Sequence, residues 1–424
     1  MRLKEEAQLR GMTRALSLCV AMAALGACGN GGSPNGGGAG SATSGSGGAA
    51  GAAVAGSDAG GLSGAGGMAG SPAAGSGGAA GSAGSGGDGS AGCSASMTDD
   101  EQPMLLSETK CVDMADPTKP APGLVPYSVQ SALWSDGAEK ERFLRIPDGA
   151  KIHPVDCATE PDLCADPGSG GEGLDDGHWD LPIGTVLVKN FNIEGKRIET
   201  RLLMRRNSRT WKGFSYEWND DGTEANLLPE GKNKPVGTGT QVWQYPSRAA
   251  CLECHTQYAG RSLGPNTRQL NADHAYAEGT MNQVAKFTEL GLFDVPPKDL
   301  PGYPDPYGTG TLEERARSYL QTNCAICHRP GGEFSTVDMR FGTALAETNL
   351  CGASEHDESL AAYRLVPGQP TLSSMSVRMQ ALDTAEAEVR MPKLGSTVID
   401  EQGVALIDEW ITSLPSDACP PQPQ

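Results

Sequence analysis

The chain has 424 residues, room for about two to three domains. Of its 58 glycines, 27 fall within residues 29–92, so that stretch is not globular while the rest has an ordinary share. Lys+Arg 33 against Asp+Glu 52 gives −19, which argues against a nucleic-acid partner, and no apolar run is long enough for a permanent transmembrane helix.

Residues 15–25 (ALSLCVAMAAL) form a short apolar run with Arg10 and Arg14 ahead of it, the pattern of a signal peptide. Glu5 and Glu6 are unusual in such a leader, which leaves both Met1 and Met12 open as starts. The run ends in Leu25-Gly26-Ala27-Cys28, which resembles a bacterial lipobox and predicts a diacylated Cys28 as mature N-terminus. Gly29, rather than aspartate, follows it and favours the outer membrane, reached through the lipid anchor only. Residues 28–99 read as a disordered tether of Gly, Ala and Ser, with GSGGAAG at 45–51 and again at 75–81. Its span is about 40–50 Å. Such tethers resemble those of myxobacterial lipoproteins. Without residues 1–27 the balance is 29 basic against 50 acidic residues, a field that favours basic partners.

Residues 100–247 are predicted to be a β-rich domain. Strands are expected over 184–193, 198–205, 210–219 and 240–245, in an antiparallel sheet, sandwich or small barrel. Trp134, Trp179, Trp211, Trp218 and Trp243 fit a core, or a platform for sugars.

Two Cys-x-x-Cys-His motifs follow: Cys251, Cys254, His255 and Cys324, Cys327, His328. Each reads as a c-type haem site, in which two cysteines form thioethers and the adjacent histidine binds iron. From 12 cysteines and 6 histidines one such motif is expected by chance roughly 0.005 times. A four-cysteine zinc site and a thioredoxin-like redox pair are the alternatives. The six other cysteines after Cys28 allow 15 pairings; Cys157–Cys164, Cys351–Cys419 and Cys93–Cys111 are favoured.

The first haem segment, 248–300, is too short to close a core alone, so a neighbouring domain must wall it. Its sixth iron ligand is open among Met281, His274, His178, His153 or none. The second cytochrome domain, 301–419, is expected to begin with a helix capped by the box Thr311-Leu-Glu-Glu314 and to end with one capped by Asp400. Between them Met391, before Pro392, is the expected sixth ligand, with Met375 and Met379 competing. The expected fold class is multidomain α+β: the β-rich domain, then two mainly α-helical cytochrome c-type haem domains.

The order of these pieces resembles a bacterial family of exported dihaem c-type cytochromes. The resemblance is carried by YSVQSALWSDGAEKERFLRIP (127–147), LPIGTVLVKNF (181–191), IETRLL (198–203), WKGFSYEWN (211–219) and CLECHTQYAGRSLGPNTRQLN (251–271). NCAICHRPGGE (323–333), LVPGQPTLSSMSVRMQ (365–380) and RMPKLGS (390–396) complete it. It implies two covalently bound haems c on the residues named, Met391 included. It also implies electron transfer between periplasmic redox donor and acceptor proteins, with a sugar or alcohol dehydrogenase as one kind of donor. The alternatives are a peroxidase-like enzyme whose first haem is open, and a carbohydrate- or partner-binding β-module that carries cytochromes.

Overall fold

A computed structural model describes residues 92–93, 102–167, 170–239, 241–334, 336–355, 361–382 and 389–421. The leader, the lipobox with Cys28 and nearly all of the tether lie outside the described residues. The described residues all belong to one compact unit, 73–424.

Its centre is an antiparallel six-stranded sheet. It is built from β1 (Val125–Tyr127), β2 (Glu139–Arg145), β5 (Val186–Ile193), β6 (Lys196–Arg205), β7 (Trp211–Trp218) and β8 (Ala225–Leu228), in the order β1-β2-β5-β6-β7-β8. Three small two-stranded pairs surround it: β3 (His153–Pro154) with β4 (Trp179–Asp180), β9 (Lys232–Pro235) with β10 (Val242–Tyr245), and β11 (Asp273–Tyr276) with β12 (Gly279–Asn282). The β5–β6 hairpin turns on Glu194 and Gly195, both at positive φ, a two-residue turn whose twist matches that of the strands it joins.

Alternation along the strands gives the sheet two different faces. One carries Val186, Val188, Leu202, Met204, Phe214 and Tyr216, covered by Leu106, Val112, Leu124 and the Cys93–Cys111 disulfide. On the other face, Leu144, Leu187, Leu203 and Trp211 pack with Trp179, Leu270 and Phe287 at one end, and Phe191 packs with Trp243 and Tyr245 at the other. Between these apolar ends runs a polar row in cross-strand register, Arg142–Lys189–Arg201–Ser215. Trp179, Trp211, Trp218 and Trp243 are core residues rather than an exposed platform.

Seven α-helices occur among the described residues: α1 (Pro161–Cys164), α2 (Arg248–Cys254), α3 (Thr267–Leu270), α4 (Gln283–Glu289), α5 (Leu312–Asn323), α6 (Ser374–Met379) and α7 (Glu401–Ser413). Only α5 and α7 exceed seven residues, which corrects the expected pair of mainly helical cytochrome domains and, with the single open sheet, the expected sandwich or barrel. The fold is dominated by the sheet, and much of the remaining chain is irregular. The physical reason lies in the sequence between α5 and α7. Pro330, Gly331, Gly332, Pro367, Gly368 and Pro370 interrupt it before a helix can pass its costly first turns. The first motif's segment, in turn, has only the short helices α2, α3 and α4, and α2 rests on the sheet.

The two longer helices pack on each other in one cluster with Leu320, Ile407, Trp410 and Ile411. Thr311 and Glu314 form the reciprocal capping box of α5. Asp400 caps α7 through the Gly403 amide at 3.0 Å and also accepts a hydrogen bond from Tyr319 Oη at 3.0 Å, so one carboxylate joins both helices.

Candidate functional site

Helix α2 delivers the first motif. Ser247 caps it by accepting from the Ala250 amide, and His255 stands at its end. The helix lies against β7 where Gly213 leaves room: a Cβ there would sit 2.7 Å from both Cβ and Sγ of Cys251. His255 Nδ1 is 2.5 Å from the Arg261 carbonyl, and burial holds the ring's pKa down to about 4. The imidazole is therefore neutral, its Nδ1 proton goes to that carbonyl, and Nε2 keeps the lone pair that an iron needs.

Helix α5 delivers the second motif. Its last residue precedes Cys324, and the chain turns back so that the amides of Cys327 and His328 both donate to the Cys324 carbonyl, at 3.1 and 2.9 Å. The His328 ring stacks on Phe334, with centroids 5.4 Å apart. Cys324, Cys327 and His328 line a cavity of about 1230 Å³, counted with the solvent at its mouth.

The same cavity reaches Cys254 of the first motif, so the two motifs are neighbours. Burial pushes the Cys254 thiol up to about 11, with Cys327 close enough to add to the rise, and burial pushes Cys324 up to about 12. The chain behind each motif also meets the other: a Cβ on Gly331 would lie 2.9 Å from the Tyr258 ring. Arg329, almost wholly buried, ties the second motif to the β-rich part through Asp175 at 2.8 Å and the Gly173 carbonyl at 2.9 Å.

All three favoured disulfides are present: Cys93–Cys111, Cys157–Cys164 and Cys351–Cys419. The four motif cysteines are the unpaired ones among the described residues. No group of three or more His, Cys, Asp or Glu side chains among the described residues converges as a metal-ion site, so these four do not gather around a zinc-like point. Two adjoining Cys-x-x-Cys-His motifs at a large cavity, with a lone pair reserved on His255, fit covalently held haem.

Met391, Met375 and Met379 all line the cavity. Met375 and Met379 are 9% and 7% exposed and belong to the packed cluster between the helices, whereas Met391 is half-buried at the wall and outside that cluster. Its loop is clamped by buried Asp136, whose carboxylate accepts the amides of Thr397 and Val398 at 2.8 and 2.9 Å.

The four residues considered for the first iron are scattered. His153 has both ring nitrogens engaged, by Asp294 at 2.9 Å and Glu160 at 3.0 Å. His274 holds Ser128 Oγ at 3.2 Å, and Met281, its partner on the β11–β12 hairpin, is exposed. His178 packs on Gly260, next to Arg261, whose carbonyl meets His255 Nδ1. The groups electrostatically close to His255 are Lys189 and Arg201 on the sheet, which sequence reading passed over. A signal for them existed. In VLVKNFNI and IETRLLMR both charges fall on the parity of Leu187 and Phe191, and of Leu203, residues that face inward. No family model, curated protein or solved structure matches the chain.

Proposed function

We propose that this protein is a dihaem c-type cytochrome that carries electrons between periplasmic redox partners, anchored by lipid at Cys28. One observation carries the reading. In a chain whose other described cysteines are disulfide-bonded, the four thiols of two Cys-x-x-Cys-His motifs stay unpaired, and Cys254, Cys324 and Cys327 line one cavity with Met391. Haem bound there would supply one-electron chemistry at iron, and burial and axial ligands would set its potential. Cys251 and Cys254, and Cys324 and Cys327, would hold the rings, and His255, His328 and Met391 would supply ligands to iron. The shared cavity supports direct exchange between the two centres. The donor fits a dehydrogenase acting outside the cytoplasm, and the acidic chain favours a basic partner face.

Protein matured by a c-type haem attachment system should give two haems per chain in a pyridine haemochrome assay; one or none removes the reading. Cys28→Ser should release the protein from the outer membrane or stall its processing, and unchanged partitioning would remove the anchor.

A second reading has an observation in its favour. His153 and His274 are engaged by Asp294, Glu160 and Ser128, and Met281 is exposed on its hairpin, which fits a peroxidase-like first centre with an open sixth position. Stoichiometric carbon monoxide binding at one reduced haem of the intact protein, together with rapid peroxide turnover, would select it. An unchanged spectrum would select the carrier.

A further inference from the structure

The inner face of the sheet holds more cations than the carboxylates paired with them. Arg142, Lys189 and Arg201 stand side by side on β2, β5 and β6, in register, and Lys140 lies two residues along β2 on the same face. All four are half-buried. Among the described residues Glu199 is the carboxylate paired with the row, and it is committed to Arg201 at 2.8 Å and to the Trp243 indole at 2.8 Å, while Asp136 and Asp400 act on Lys140. Arg142 and Lys189 have no carboxylate partner among the described residues. Arg142 donates to the Lys140 carbonyl, and Lys189 lies 5.0 Å over the Phe191 ring. Removing cations from water without an anion is costly, so a row of this kind signals an anionic occupant. The contrast with a chain of formal charge −19 makes it a local device and not a general basic surface.

The position of the row identifies the occupant's chemistry. The row begins at Ser215, two residues from Gly213 against which Cys251 packs, and runs through Arg201, Lys189 and Arg142 on successive strands away from that thiol, as the propionates of a haem lie away from its thioether edge. At about 4.8 Å per strand, three cations on neighbouring strands span on the order of 10 Å. That suits two carboxylate arms on one edge of a porphyrin. We propose that the row Arg142–Lys189–Arg201 binds the propionate carboxylates of the haem attached at Cys251 and Cys254. The proposal rests on the haem reading above and deepens it. A free carboxylate or phosphate shares the same chemistry and is the competing source.

The test uses the full, haem-loaded chain and its Lys189→Met, Arg142→Gln and Lys189→Arg variants. The first haem is followed as the one without a methionine charge-transfer band. Lys189→Met and Arg142→Gln should each lower its midpoint potential, because loss of a nearby cation favours ferric iron, and shift its propionate-bending mode in the resonance Raman spectrum. The second haem should not move, and Lys189→Arg should restore the parent values. Two haems with the first potential and Raman mode unchanged in both charge-removing variants would overturn the proposal. So would a Raman mode insensitive to substitution together with a spectral response to added acetate or phosphate in the parent alone, which would assign the row to a free anion. Peptide masses without haem on Cys251 and Cys254 would instead overturn the underlying reading.

Discussion

Replacing Asp136 should undock the loop that carries Met391. Its carboxylate accepts two main-chain amides, from Thr397 and Val398, at 2.8–2.9 Å, and it is 5% exposed. Hydrogen bonds to a charged group contribute about 1.5–3 kcal/mol each, so losing both costs about 3–6 kcal/mol. The Thr397 hydroxyl adds little to this, because the Val242 carbonyl at 2.9 Å remains as its acceptor. Even the lower figure shifts the docked-to-undocked ratio by roughly 100-fold. Asp136 also has a φ of 52°, so Asp136→Ala adds about 1–2 kcal/mol of left-handed strain that Asp136→Gly avoids. The assay is the sulfur–iron charge-transfer band of the oxidised protein, followed through a urea titration. Ala should lose the band earliest, Gly next, and Asn, which tolerates this backbone and keeps one acceptor, last. A band in Asp136→Gly as resistant to urea as the parent's would refute the clamp.

Three further outcomes follow from the same structure. Met391→Ala should abolish that band and lower the second haem's potential, whereas Met379→Ala should keep the band and cost about 2–5 kcal/mol in a denaturation curve, as a buried methionine does. Gly213→Ala places a methyl 2.7 Å from Cys251 Sγ and should cost about 1–3 kcal/mol while lowering haem content at the first motif, read by peptide mass. Burial lowers His178 to about 4, so between the ordinary histidine value of 6.5 and that value only the unfolded chain takes up its proton. Stability should therefore fall as pH drops from 6.5 to about 4, and His178→Gln should flatten that limb of a pH–stability profile.

What the sequence made legible was local. Alternation and β-branched content located β5, β6, β7 and β10, and the spacing Thr311 to Glu314 located the start of α5. The two Cys-x-x-Cys-His motifs were legible because their spacing is written in adjacent residues. What joins distant segments was not. Asp136 reaches Thr397 across 261 residues, and no local pattern announces that contact. The helical haem domains were expected because small cytochromes are helical, yet the first motif here obtains its wall from the sheet through the gap at Gly213. Arg142, Lys189 and Arg201 differ again: the inward parity of Lys189 and Arg201 was readable within their strands, but the assembly of all three into one row needs the register between strands.

The burial that raises the four motif thiols also sets a timetable for maturation. A thiol held up to about 11 or 12 is almost never a thiolate near neutral pH, and the thiolate is the reactive form. Once α2 has settled on β7 and Cys254 has turned into the shared cavity, the chain has withdrawn its own attachment points. On the haem reading proposed above, attachment would therefore be faster to an open polypeptide than to one whose α2 already rests on β7, and a chain that folds first would offer its attachment points as buried, protonated thiols.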